Sequence, residues 1–139
     1  MARSRMALRR STGRRAAVYL RKSTDQQEAS IPGQRQAVHD YASRHGYEIV
    51  AEYVDAGISG VDSVTHRKDF ARMVTDAEAG KFEFIIAWDL SRITRSDPMA
   101  AAAELLPLRQ SGIKLATTDR SEPIDWHSFA GILMMNIES

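Results

Sequence analysis

The seven residues Phe82-Glu83-Phe84-Ile85-Ile86-Ala87-Trp88 constrain this chain more than any others. The run is apolar except at Glu83 and shows no alternation, which marks a strand covered on both faces. Such a strand needs helices above and below the sheet, and the flanking segments have helical spacing. Lys68 to Ala79 sets Phe70, Met73, Val74 and Ala77 along one side and stops at Gly80. Asp97 and Pro98 offer an N-cap and a first-turn proline to a helix over Met99 to Gln110. Pro107 within that helix is expected to kink or split it, because proline removes a backbone donor and crowds the preceding turn.

The rest of the chain repeats the alternation. Ala16 to Leu20 reads as a first strand. A helix capped by Ser30 follows, with Pro32 in its first turn, Ile31, Val38, Tyr41 and Ala42 as its apolar set, and Gly46 as its stop. Tyr47 to Val54 has the aromatic and β-branched content of a strand, and Asp55 to Thr65 reads as loop. Ile113 to Thr118 is a further strand, after which Asp125 caps a last helix beginning near Trp126. Trp88 is assigned to the core, and Trp126 is left between core and subunit interface. Strands separated by helices predict an α/β, three-layer fold with a central, largely parallel sheet. Functional residues are then expected at the carboxyl ends of the strands.

A chain of 139 residues fits one such domain, and 43% hydrophobic with 27% charged residues is ordinary for a soluble globular protein. Absence of cysteine removes disulfides and thiolate metal sites and favours a cytoplasmic address. No apolar run approaches the roughly 20 residues of a membrane helix. The net charge of +1 conceals a division. Residues 1–15 hold six arginines and no acid, leaving 13 basic against 18 acidic residues in the remainder. Residues 1–15 therefore read either as a flexible basic arm that touches nucleic acid or as a start region of no function, with Met6 as an alternative start. Residues 16–125 form the α/β domain, and 126–139 are nearly all apolar around the helix. That last stretch reads as the start of a long, truncated helix packing on another subunit, or as a hydrophobic terminal helix of the core.

Three loops at strand ends carry the chemistry. Arg21-Lys22-Ser23 follows the first strand, with Gln27 and Gln34 downstream; His66-Arg67-Lys68 opens the second helix; Ser91-Arg92-Ile93-Thr94-Arg95 follows the most buried strand. Arg21 and Ser23 share a face if the strand continues, and Arg92 and Arg95 share one in a helical turn. Guanidinium forks bind phosphate oxygens bidentately and stay charged, and phosphoryl transfer asks for little beyond positioning, charge stabilisation and a nucleophile. Taken singly, each arginine also reads as a surface ion pair. The four histidines, His39, His45, His66 and His127, lack metal-ligand spacing, and Gly57-Ile58-Ser59-Gly60 lacks the Walker pattern and reads as a mobile loop near the site.

In combination these motifs closely resemble the serine recombinases (resolvases and invertases), and among them the large serine integrases of actinobacterial phages. The signature Tyr-x-Arg-x-Ser-Thr is met by Tyr19 to Thr24, the glutamine loop by Gln26-Gln27, the glutamine of the first helix by Gln34, the arginine before an apolar helix by Arg67, and Arg-x-x-Arg by Arg92 and Arg95. The resemblance runs from about Ala16 to Ser139. It implies a resolvase-like fold ending in the start of a long oligomerisation helix. It also implies site-specific DNA recombination, in which Ser23 attacks a scissile phosphodiester, forms a covalent phosphoserine link and releases a 3′-hydroxyl. Arg21, Arg67, Arg92 and Arg95 would stabilise the transition state; Arg21, Arg67, Lys68, Arg92 and Arg95 would contact DNA; Gln27, Gln34 and Ser91 would support them. The implied partners are double-stranded DNA attachment sites in the bacterial host cytoplasm and further copies of the chain, as homodimer and synaptic homotetramer. No metal, cofactor or membrane is implied, and this fragment alone is expected to be inactive. Ser91 is a departure, since many members carry Asp there, and no His or carboxylate stands out as the base for Ser23. A non-catalytic module that keeps the fold is the alternative.

Overall fold

The computed structural model describes residues 14–22, 30–56, 67–93 and 98–126. Its elements are β1 (Arg15–Lys22), α1 (Ile31–His45), β2 (Glu48–Ala56), α2 (Lys68–Glu78), β3 (Phe84–Ala87), a 3-10 turn (Leu90–Arg92), α3 (Pro98–Gln110) and β4 (Lys114–Thr117). The four strands form one sheet in the order β2-β1-β3-β4, and every pair is parallel. The connection through α1 moves from β1 to one side, and the connection through α2 carries the chain across to the other. The β1–β3 boundary is therefore where the winding reverses, the place at which open parallel sheets bind ligands.

Side-chain alternation along β1 sorts the core into two layers. Ala16, Val18 and Leu20 pack with Val38, Tyr41 and Ala42 of α1, together with Ile86 and Ala116. Ala17 and Tyr19 face the opposite way, onto Phe70, Met73 and Ala77 of α2 and Ala101, Leu105 and Leu108 of α3. All four residues of β3 are buried, as a strand covered on both faces requires. The three-layer α/β architecture expected from the sequence is the one observed, and its sheet is entirely parallel.

Local chemistry sets the ends of α1. The Ser30 hydroxyl accepts the Gly33 N–H at 3.1 Å, and Gly46 closes the helix in the left-handed region at φ 76°, its N–H returned to the Ala42 carbonyl. Arg35 of α1 reaches Glu52 of β2 at 2.8 and 3.0 Å and holds that carboxylate below its usual range.

Several expectations change. β1 is longer than Ala16–Leu20, because Arg21 and Lys22 pair with Asp55 and Ala56 on β2. Its first residue, Arg15, is bound to the body through Glu83 and the Gly80 carbonyl, and Arg14 lies over the Tyr47 and Phe84 rings. β3 is shorter than the apolar run: Phe82 is buried outside the ladder, and Trp88 is half-buried rather than in the core. The Trp126 indole donates to the Ile113 carbonyl at 2.9 Å and its ring packs on the α2–α3 side of the core. α3 runs through Pro107 as one element instead of splitting. The carbonyl that loses its donor there belongs to Ala103, an exposed residue, so water can satisfy it. Asp97 and the last helix after Trp126 lie outside the described residues. Among the described residues no helix is long and apolar enough to cross a membrane.

Two outcomes follow from these contacts. Pro107→Ala restores the missing backbone donor and should stabilise the chain by about 1–3 kcal/mol in urea unfolding. The Glu52 carboxyl is lowered in the folded state, so its contribution is complete above the unfolded carboxylate value and is lost as pH falls through the folded one. Arg35→Ala should therefore cost stability at neutral pH, with the gap to wild type closing below about pH 4 in pH-dependent melting.

Candidate active site

The carboxyl edge of the sheet is organised by carboxylates and amides before any cation reaches it. Asp55, buried at the end of β2, accepts the Tyr19 hydroxyl at 2.7 Å and the Phe70 N–H at 3.0 Å on Oδ2, and the Asp69 N–H at 3.0 Å on Oδ1. These amides belong to the first turn of α2, whose N-cap residue, Arg67, gives no side-chain cap. Asp55 thus caps α2 from a different element, where a negative charge also suits the helix dipole. Asp69 returns the contact by accepting the Val54 N–H at 2.8 Å. Burial, then the hydrogen bond to Asp55, pushes the Tyr19 phenol far up, so Tyr19 is a fixed donor and not a base.

Gln34 fixes the end of β1. Fully buried on α1, it donates through Nε2 to the Arg21 carbonyl at 2.9 Å and accepts the Arg21 N–H at 3.4 Å. Both backbone groups of the residue two before Ser23 are therefore held by one amide.

Three of the four expected arginines converge. Arg21, 3% exposed, donates from Nη2 to the Ser91 carbonyl at 3.1 Å. Arg67, fully buried, donates from Nη1 to the Ile93 carbonyl at 2.9 Å and from Nη2 to Glu104 on α3 at 3.0 Å. Between those two carbonyls lies Arg92, in the 3-10 turn and 9% exposed. The turn is capped by Asp89, whose Oδ1 accepts the Ser91 N–H at 3.0 Å and the Ser91 hydroxyl at 2.6 Å. Lys68 is exposed at the start of α2. Ser23, Gln27, Arg95 and the loop 57–60 lie outside the described residues. Among the described residues no three His, Asp or Glu side chains gather as metal ligands. The chemistry this arrangement suits is recognition of an anion by guanidinium groups held rigidly at a strand-end crevice.

Sequence reasoning missed the parts played by Asp55, Tyr19 and Glu104. Asp55 could have been found as the acid that ends the strand Tyr47 to Val54, directly ahead of the glycine loop. Glu104 could have been found as the single acid of an alanine- and leucine-rich helix.

The model of the resolvase N-terminal domain matches residues 16–139. The chain belongs to the resolvase family. Its fold is similar to the N-terminal catalytic domain of TP901-1 integrase, with a TM-score of 0.72 and 26% identity over 90% of this chain and 95% of that one. A resolvase family site-specific recombinase from Streptococcus pneumoniae aligns at a TM-score of 0.70 and 28% identity, covering 90% of this chain and 86% of that one. The C-terminal catalytic domain of ISC1926 TnpA, an IS607-like serine recombinase, shares the fold at a TM-score of 0.64 and 22% identity, covering 75% and 70% of the two chains. No curated protein matches the chain in sequence. The resolvase-like fold and the serine recombinase resemblance read from the motifs are thereby shown.

Asp55 is the keystone of this edge. Asp55→Ala removes the acceptor of two first-turn amides and a buried phenol, and should cost about 2–4 kcal/mol in denaturant unfolding. Asp55→Asn, which keeps one acceptor oxygen, should lose less.

Proposed function

We propose that this chain is the catalytic domain of a site-specific recombinase that cuts and rejoins double-stranded DNA, with Ser23 as nucleophile. One observation carries the reading: Arg21, Arg67 and Arg92 come from three separate segments to one short stretch of backbone at the β1–β3 switch point. Ser23 follows Arg21 by two residues. In the reaction the Ser23 Oγ forms a bond to phosphorus as the bond to the 3′-oxygen breaks. The serine proton is given up and the departing 3′-oxygen gains one. Attack by a 3′-hydroxyl on the phosphoserine reverses both changes. Each step exchanges one phosphodiester for another, so no external energy source is required. The arginines, Arg95 included, stabilise charge on the equatorial oxygens, and Lys68 adds a contact to the DNA backbone. Gln34 supports this by fixing the Arg21 peptide group, and Gln27 is assigned a supporting part beside it. DNA attachment sites are the partners, and recombination between two of them calls for a homodimer on each and a homotetramer at synapsis.

The contact between Ser91 and Asp89 favours catalysis over a module that has lost its chemistry. Where many relatives carry Asp, Ser91 donates to a carboxylate two residues away, so a carboxylate still borders the Arg92 turn.

The test uses the full gene product and a plasmid carrying the junctions of the genetic element that encodes it. Wild type should yield a protein–DNA adduct that survives denaturation. Ser23→Ala should abolish it with DNA binding intact, and Arg92→Ala should slow it about 100- to 1,000-fold. An undiminished adduct from Ser23→Ala would remove the assignment of the nucleophile.

A further inference from the structure

Arg67 is the most committed side chain at this edge. It is fully buried, and a buried guanidinium persists only where a counter-charge and acceptors meet it. The counter-charge is Glu104, whose Oε1 lies 3.0 Å from Nη2 and whose side chain is 15% exposed. The other terminal nitrogen, Nη1, donates to the Ile93 carbonyl at 2.9 Å, and the Phe70 ring lies 4.3 Å from the guanidinium carbon. Nε is buried as well and makes no hydrogen bond of good geometry among the described residues; the Tyr19 phenol is a further polar neighbour of the guanidinium.

These contacts divide the guanidinium's donors. Two anchors on the terminal nitrogens and a ring against one face fix its plane. Because Ile93 directly follows Arg92, a fixed Arg67 also fixes the carbonyl end of the turn that carries Arg92. Glu104 supplies the anchor that comes from α3, and it is the helix's single acid. An orphaned buried N–H is costly until an acceptor arrives. At a site that handles phosphodiesters, the natural acceptor is a phosphate oxygen reaching Nε.

We propose that Glu104 is a positioning residue of this site, anchoring Arg67 by Nη2 so that Arg67 holds the Arg92 turn and keeps Nε–H for a phosphate oxygen. The proposal rests on the phosphoryl-transfer reading given above, and its test therefore has one arm that needs no catalysis.

In that arm the full chain, labelled with 15N, is titrated with dimethyl phosphate while the Arg67 Nε–H resonance is followed by NMR. The resonance is assigned by its loss in Arg67→Lys. In wild type it should move saturably. Glu104→Gln, which keeps the hydrogen bond, should weaken the apparent affinity by less than about threefold, and Glu104→Ala by about tenfold or more. Glu104→Asp keeps the charge but retracts the anchor and should fall between them, which covers the case of an alanine variant that does not fold. In the second arm the same variants are assayed for adduct formation in the full gene product. Glu104→Ala should slow it about 100-fold and Glu104→Gln should largely rescue it, since a small misplacement of a binding group has that scale of effect. A wild-type Nε–H resonance that dimethyl phosphate leaves unmoved overturns the proposal. So do Asp and Ala variants that titrate like wild type, or adduct formation that speeds up when Glu104 is removed. If the titrations behave as expected and wild type forms no adduct, the recombinase reading fails and the positioning of Arg67 stands.

Discussion

The carboxylate of Asp55 joins three elements at one point. It closes the first turn of α2, accepts the hydrogen bond of the Tyr19 phenol on β1, and itself belongs to β2. Two of the arginines are placed relative to this knot. Arg67 stands at the mouth of the helix that Asp55 caps, and Arg21 sits beside Asp55 across the β1–β2 pair. A purely apolar junction would have held the layers together, yet it would not have fixed how α2 approaches the sheet edge. Directional bonds to two consecutive helix amides do fix it.

The arginines have a second use besides charge. Arg21 and Arg67 grip the carbonyls of residues 91 and 93, so the stretch that carries Arg92 is held by the same side chains proposed to meet phosphate. Backbone carbonyls are modest partners for a guanidinium, since each carries only a partial charge. A carboxylate would neutralise it. Among the described residues Glu104 is the carboxylate that bonds Arg67 directly, while Asp55 and Asp89 spend their bonds on amides and hydroxyls around the cations.

Much of the architecture was legible in the sequence because it follows from short-range rules. Continuous burial marked β3, and glycine marked the end of α1. The arginines were legible through a family pattern. What escaped was set by long-range or solvent-dependent circumstances. The cap on α2 comes from 14 residues upstream of the amide it satisfies. Glu104 gains meaning only from Arg67, 37 residues away. Pro107 is tolerated because the carbonyl it orphans faces water. Trp88 reads as core by composition, yet it stands past the end of the ladder, where its carbonyl accepts from Thr118. Ser23, Gln27 and Arg95 keep the standing that the motif alone confers on them.

The pairing of β1 with β2 slips by one between Ala16 and Ala17, so that Ala16 stands opposite Ile49 and Ala17 opposite Ala51. Val50 is the additional residue. Side chains on a strand alternate with a period of two, so one extra residue turns everything after it over. Ile49 packs on the α1 layer, while Ala51 and Tyr53, two and four residues on, pack on the α2 layer. Asp55 inherits that reversed parity. Had the ladder run evenly, the carboxylate would have pointed at α1, and α2 would have begun with its amides unmet. A single surplus valine, half exposed, decides which layer of the protein Asp55 serves.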